Sequence, residues 1–323
     1  MISTALKIPN ARKVVQLLGG CTAETQLLIL CDALTAGNVE PLVLAATEVG
    51  AHPITMQMMP SSHHGSALAP AIAAAMAASE LIIGATVRNI AHTEARRNAQ
   101  AKGARVIVLP ESSDENFFLA SGWQVDFEAL RPQIDALAHA LTEASTARVV
   151  SDLGTDITMS LAGRRGRSLN GFANTVDISA GYCLEASIAP VEGTANGRIV
   201  VNASIPGVAL IESAPVEITF RDGLAVSIEG GREAKLFREL LESFDDPNVY
   251  NLGELGLGMN PMCTLDGTML SDESVWGGFQ LALGTSAYIG GTCKAAAHYD
   301  TVLTEATLEL DGKAVFSGNR LLI

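Results

Sequence analysis

The sequence predicts an α/β fold in two parts. An open parallel-sheet α/β domain spans residues 1–147, and an α+β, mainly antiparallel domain with the candidate metal site spans 148–323. Three observations carry this reading. Before Arg148, short apolar runs alternate with helical runs. After it, Gly, Pro and turn pairs become dense and strand-like runs follow one another. The length, 323 residues, exceeds what one small core needs and suits two domains.

In the first part Gln26–Cys31 (QLLILC), Pro53–Met58, Glu80–Gly84 (ELIIG) and Arg105–Leu109 read as strands. Between them Val39–Val49, Ala67–Ser79 and Ala91–Lys102 read as helices, the first and last stopped by Gly50 and Gly103. Apolar strands separated by helices imply a parallel sheet covered on both faces. Asp126–Ala144 reads as a further, bridging helix. In the second part Ile199–Ala203, Val216–Phe220 and Ala225–Glu229 read as strands, and Asp222-Gly223 is a hairpin signal between two of them. Glu233–Phe244 reads as a helix; Phe279–Leu283 and Ala306–Leu310 are short strands in a Gly-rich remainder.

Composition excludes several classes. Hydrophobic residues at 48% against 17% charged reverse the balance of a disordered chain. A net charge of −14 repels phosphate backbones, so no nucleic-acid partner is expected. Ala67–Ser79, the longest apolar stretch, is too short to span a bilayer, and residues 1–18 lack the apolar core of a signal peptide. A cytoplasmic protein with no membrane partner is expected. Cys21, Cys31, Cys183, Cys263 and Cys293 are odd in number and widely spaced, which argues against a disulfide framework or a structural zinc site. No G-x-G-x-x-G run occurs in the first part, which argues against a nicotinamide dinucleotide site.

The candidate chemistry lies mostly in the second part. In a strand, residues two apart share a face, so His298 and Asp300 of His298-Tyr-Asp300 would project together. That suits two ligands on one ion, and equally a surface His beside an unrelated Asp. Glu254 lies in Asn251–Pro261 (NLGELGLGMNP), where three glycines leave room for an ion, a substrate or another backbone; a solvated turn fits as well. Glu185 sits in an apolar segment and needs a partner, either a metal or an arginine. Arg164, Arg165 and Arg167 form the densest basic patch, able to hold an anionic substrate or to balance nearby acids. His92, near a helix start, suits a general base or a structural role. His63-His64 reads as a loop pair without a third ligand.

The order of these motifs resembles the aminopeptidase T family of metallopeptidases: Glu185…Pro190-Val-Glu192, then Gly253–Pro261, then Leu281-Ala-Leu-Gly284, then His298-Tyr-Asp300. Thr155-Asp156-Ile157 and Leu28–Gly50 look like that family too. The resemblance implies two divalent ions, with Glu185, Glu254, His298 and Asp300 as ligands, and a homo-oligomer. Gln280 departs from it, standing where that family has a His. From Trp276 to Asp300, and over Asp246–Tyr250, the sequence is also similar to the 2,5-dihydroxypyridine 5,6-dioxygenases of the same fold. That resemblance implies one Fe²⁺, with Glu254 in place of a ligand His, and His92 as the base.

Three functions are therefore expected, in order. The first is a metal-dependent hydrolase cleaving an amide of a small, cyclic or peptide substrate. Water on Zn, Co or Mn would attack, Glu185 or His92 would move the proton, and Arg164 or Arg165 would hold an anionic group. The second is a mononuclear Fe²⁺ ring-cleaving dioxygenase of a hydroxylated pyridine. The third is a non-catalytic small-molecule binding protein.

Overall fold

Four parallel strands build the first sheet: β1 (Leu27–Asp32), β2 (Ile54–Met58), β3 (Leu81–Thr86) and β4 (Arg105–Pro110), in the order β2-β1-β3-β4. The computed structural model describes residues 3–323. This sheet belongs to one of two compact units, formed by residues up to Val125 together with Gly171–Cys183. Its helices are α1 (Thr4–Arg12), α2 (Val39–Glu48), α3 (Pro70–Ala77) and α4 (Glu94–Ala101).

Every residue of β1 and β3 is buried, as strands covered on both faces must be. Local chemistry sets the helix starts. Pro70 opens α3, where its missing N–H costs nothing. Thr93 caps α4 by accepting from the Arg96 N–H at 3.2 Å. The outer edge of β4 is bonded by the returning segment: Val108 N donates to Ser179 O at 2.8 Å, and Ser179 N to Val106 O at 3.0 Å. The expected strands and helices of this region are all present. α1 was not expected; it carries Pro9 and runs on into a π-helical turn over Lys13–Leu18.

The second unit comprises Asp126–Asn170 and Leu184–Ile323. α5 (Phe127–Glu143) opens it, capped by the Asp126 carboxylate, which accepts from Ala129 N at 3.0 Å. The strands are β5 (Thr146–Ser151), β6 (Asp156–Ser160), β7 (Arg167–Leu169), β8 (Glu185–Ile188), β9 (Asn196–Val201), β10 (Ser204–Ile205), β11 (Ala209–Leu210), β12 (Val216–Arg221), β13 (Leu224–Glu229), β14 (Leu252–Gly258), β15 (Phe279–Gly284), β16 (His298–Tyr299), β17 (Val302–Leu303), β18 (Ala306–Leu310), β19 (Lys313–Ser317) and β20 (Arg320–Leu321). Two further helices are α6 (Arg232–Glu242) and α7 (Met269–Asp272).

These strands form two antiparallel sheets. One runs β13-β12-β9-β6-β5-β18-β19-β20; the other runs β11-β10-β17-β15-β14-β8-β7, with β16 added to β15. The β12–β13 hairpin turns at Asp222 and Gly223, whose φ of 49° and 79° are the left-handed pair such a turn requires. The predicted fold class, an open parallel sheet followed by mainly antiparallel α+β structure, is the one observed. Among the described residues no helix is long and apolar enough to cross a membrane.

Candidate metal centre

Strand register sorts the second sheet of this unit into two chemically different faces. Directly paired residues of antiparallel strands share a face, and so do residues two apart along one strand. The pairs Arg167↔Ser187, Ser187↔Gly256, Gly256↔Gln280, Glu254↔Ala282 and Gly284↔His298 therefore place Arg167, Glu185, Ser187, Glu254, Gln280 and His298 on one side. Ala186, Ile188, Leu255, Leu257, Leu281 and Leu283 fall on the other. That apolar side meets α5: Ser168 and Asn170, pointing the same way, bond Asp135 of α5 at 2.6 and 2.7 Å. Arg167, Glu185, Glu254 and His298 are thus gathered on one face, and the strand alternation of the sequence achieves it.

Three side chains converge there. Glu254, His298 and Asp300 each offer a ligand atom, and these atoms lie within 4.8 Å of one another. His298 Nε2 is 3.2 Å from Glu254 Oε2 and 3.8 Å from Asp300 Oδ2. His298 Nδ1 lies 2.9 Å from the Thr285 backbone oxygen. A carbonyl only accepts, so Nδ1 carries a proton and Nε2 is the nitrogen turned to the carboxylates, the tautomer a metal ligand needs. The glycines around Glu254 do what the sequence implied. Gly256 follows it on the same face and leaves its strip of backbone bare; an added Cβ there would overlap Gln280 Oε1.

The electrostatics show an excess of acid. Burial favours the neutral form of Glu254, but the hydrogen bond and charge of His298, then Arg167 and Ser187, outweigh it and hold the carboxyl down to about 2. Burial opposes the His298 imidazolium, yet the hydrogen bond to Glu254 and the charges of Asp300 and Glu254 push it up to about 9. Glu185 is pushed up to about 8, first by burial and then by the Glu254 charge. Glu273 is raised well above the carboxylate range by burial, then by Asp300 and Glu185. Burial also raises Asp300, with His298 pulling the other way. Four carboxyls meet one guanidinium, Arg167 Nη1 at 3.7 Å from Glu254 Oε1, and one imidazole. A divalent cation would supply positive charge there. One imidazole nitrogen and two carboxylate oxygens form a donor set that suits a hard-to-borderline ion such as Fe²⁺, Mn²⁺ or Zn²⁺.

The remaining candidates are not members of the converging triad. Glu185 lies on the site's face but outside the converging triad. Arg164 pairs with Glu192 and donates to Gly290 O at 2.7 Å, while Glu192 also accepts from Thr292 N at 2.6 Å and Cys293 N at 3.1 Å. Arg164 thus ties loops together, and Arg167 is the arginine of that run which reaches Glu254. Asp156 pairs with Arg148 at 2.9 Å and Thr155 Oγ1 accepts from Val200 N at 2.9 Å, so both serve the other sheet. His92 lies in the first unit, in the turn before α4, and His63 and His64 lie in a loop of that unit. Sequence reasoning missed Glu273, which carries no local signature beside Asp272, and did not single out Arg167, whose only signal is its strand parity with Ser187.

Comparison with known proteins gives the family. A family model described as 2,5-dihydroxypyridine 5,6-dioxygenase (NicX) matches residues 11–322. A 2,5-dihydroxypyridine 5,6-dioxygenase of Pseudomonas putida KT2440 is 28% identical over 109 residues, and the match spans only 31% of this chain and 31% of that relative. The solved structure of the 2,5-dihydroxypyridine dioxygenase from Pseudomonas putida KT2440 superposes with a TM-score of 0.87 at 20% identity, covering 100% of this chain and 98% of that one. Wild-type AmpT from Thermus thermophilus superposes with a TM-score of 0.68 at 15% identity, covering 99% of each chain. At these identities both structural likenesses speak for the fold alone.

The family match overturns the expected amide hydrolase. The aminopeptidase resemblance reduces to a shared fold. The physical reason lies at Gln280: its Nε2 donates to the Glu273 backbone oxygen, so this side chain braces a turn where the peptidase pattern has an imidazole.

Proposed function

The chain belongs to the 2,5-dihydroxypyridine 5,6-dioxygenase family, and from that premise we propose that it is a mononuclear Fe²⁺ dioxygenase that opens the ring of a hydroxylated pyridine. The observation that carries the proposal is the convergence of Glu254, His298 and Asp300 within 4.8 Å on one sheet face. These three residues would hold the ion. When bound, ferrous iron supplies the open coordination positions that let O₂ and an oxygen-bearing substrate meet.

The chain's own residues do the rest. The Thr285 carbonyl fixes the His298 ring so that Nε2 faces inward. Arg167 holds one oxygen of Glu254 and leaves the other toward His298. Glu185, pushed up to about 8, carries a proton near neutral pH beside the ligands. The apolar face packed on α5 keeps the sheet rigid beneath them. One imidazole with two carboxylates departs from the usual two-His-one-carboxylate iron set, and Arg167 offsets part of the added charge.

Elemental analysis of protein purified without chelator or His-tag, followed by an oxygen electrode, tests this. About one equivalent of iron, with O₂ uptake on adding 2,5-dihydroxypyridine, is expected. Iron-loaded protein that consumes no O₂ with any hydroxypyridine would refute the proposal.

A further inference from the structure

Gln280 is a buried polar group on the site's face that metal binding leaves unused. It is the second residue of β15, only 1% exposed, paired with Gly256 and two pairs away from Glu254. Its Nε2 donates to the Glu273 backbone oxygen. That bond fixes the amide's orientation, because a carbonyl oxygen can only face the N–H end. Oε1 is therefore purely an acceptor, and it is buried with no hydrogen-bond partner among the described residues. An unpaired buried amide oxygen is costly, and a hydrogen-bond donor brought to it would relieve that cost.

Its position narrows the partner. Oε1 lies over the bare backbone of Gly256, where a Cβ would overlap it. Glu254 projects from the same face two residues along, roughly 6.5 Å of strand. A six-membered ring with one oxygen on an ion held by Glu254, His298 and Asp300 would cover a similar length. Arg167 on this face is engaged with Glu254, and Ser187 Oγ, beside Glu185 and Glu254, is a second buried polar atom with no hydrogen-bond partner among the described residues.

We infer that Gln280 is a specificity residue whose Oε1 accepts a hydrogen bond from the ring N–H of a pyridone-type substrate. The inference rests on the dioxygenase reading and deepens it. A 2-hydroxypyridine in water carries its proton mainly on the ring nitrogen, beside the carbonyl. An ion takes an oxygen of the ring, and the N–H remains as a donor. An acceptor-only atom pairs with that N–H and gains nothing from the C–H of an all-carbon ring, so it selects the heterocycle.

Anaerobic equilibrium binding to iron-loaded protein tests this with two ligands, 2,5-dihydroxypyridine and 1,4-dihydroxybenzene. Gln280→Met should weaken the dihydroxypyridine roughly tenfold to a hundredfold and leave the dihydroxybenzene and the iron content unchanged. Equal weakening of both ligands, or loss of iron, would mean that the amide only braces the Glu273 turn, and would overturn the inference. A second measurement needs no variant. N-methyl-5-hydroxy-2-pyridone has lost the N–H and should bind wild-type protein as weakly as the benzene diol; binding equal to the parent pyridone overturns the inference. Wild-type protein that loads iron yet binds neither diol takes down the dioxygenase reading itself, a result distinct from lost discrimination.

Discussion

Asp32 and Glu254 are both buried carboxylates on strands, and the two units treat them in opposite ways. Asp32 ends β1 with 0% exposure, and its oxygens accept from Leu34 N at 2.9 Å, Thr35 N at 3.2 Å and Val87 N at 2.7 Å. It lies at the carboxyl ends of parallel strands, the usual ligand crevice of an open α/β sheet. Here Asp32 closes the loops after β1 and β3 with its own oxygens. Glu254 instead meets Glu185, Glu273 and Asp300 around a single Arg167 and His298. Burial of an acid does not by itself mark a site. A surplus of buried acid does, because four carboxyls meet there around one guanidinium and one imidazole.

Removing a ligand breaks the comparison most sharply. Asp300→Ala or His298→Ala should reduce bound iron to background by elemental analysis and cut O₂ uptake with 2,5-dihydroxypyridine by roughly a thousandfold or more, since two donors do not retain the ion. Wild-type iron content in Asp300→Ala would show that the site lies elsewhere.

Proton competition gives the next largest effect. His298 titrates at about 9 in the metal-free protein, so below that pH an ion must displace its proton. Metal affinity should therefore rise with pH, roughly tenfold per unit, and level off above about 9. A competition titration with Mn²⁺ and a chelator between about pH 7 and 10 reads this. A flat profile would remove His298 from the ligand set. Folding stability from the same group has the opposite slope. The raised His298 pKa stabilises the metal-free fold fully below about 6.5, and that contribution is lost as pH rises through about 9.

Asp32→Ala probes the other side of the comparison. It leaves three backbone N–H groups without their acceptor and should destabilise the fold by about 3 kcal/mol in urea unfolding. Metal content per folded molecule should stay the same. A loss of metal with no loss of stability would assign Asp32 to a site rather than to the fold.

The same contrast explains what was legible in the sequence. β1, β3 and β4 are six-residue apolar runs bounded by helices, and they declare themselves. α1 does not, because Pro9 interrupts it and its apolar residues follow no helical spacing. In the second unit β10, β11, β16 and β17 have two residues each, too few for alternation to show. Glu254, His298 and Asp300 were legible from the two-residue spacing and the glycine-flanked carboxylate. The sequence points to Arg164 or Arg165 rather than Arg167 because composition cannot tell neighbours in a basic run apart; pairing with Ser187 aims Arg167 at Glu254. Glu273 comes from the turn after α7 and meets Asp300 only through the fold.

The smallest expected effect tests whether the surplus charge is a cost that the fold carries for the ion. Glu185 titrates at about 8 against an ordinary value of 4.5, so the native state binds its proton more tightly than the unfolded chain does. Its contribution to stability is therefore present below about 4.5 and is lost as pH rises through about 8. Glu185→Gln mimics the protonated form at every pH. In metal-free protein it should match wild type near pH 4.5 and become more stable by about 1–2 kcal/mol near pH 8. A divalent ion supplies the missing positive charge, so the advantage should vanish in metal-loaded protein. Chemical unfolding with and without metal at both pH values measures all four states. If Glu185→Gln is less stable throughout, Glu185 serves as a partner of Arg167, and the acid on this face is balanced without an ion.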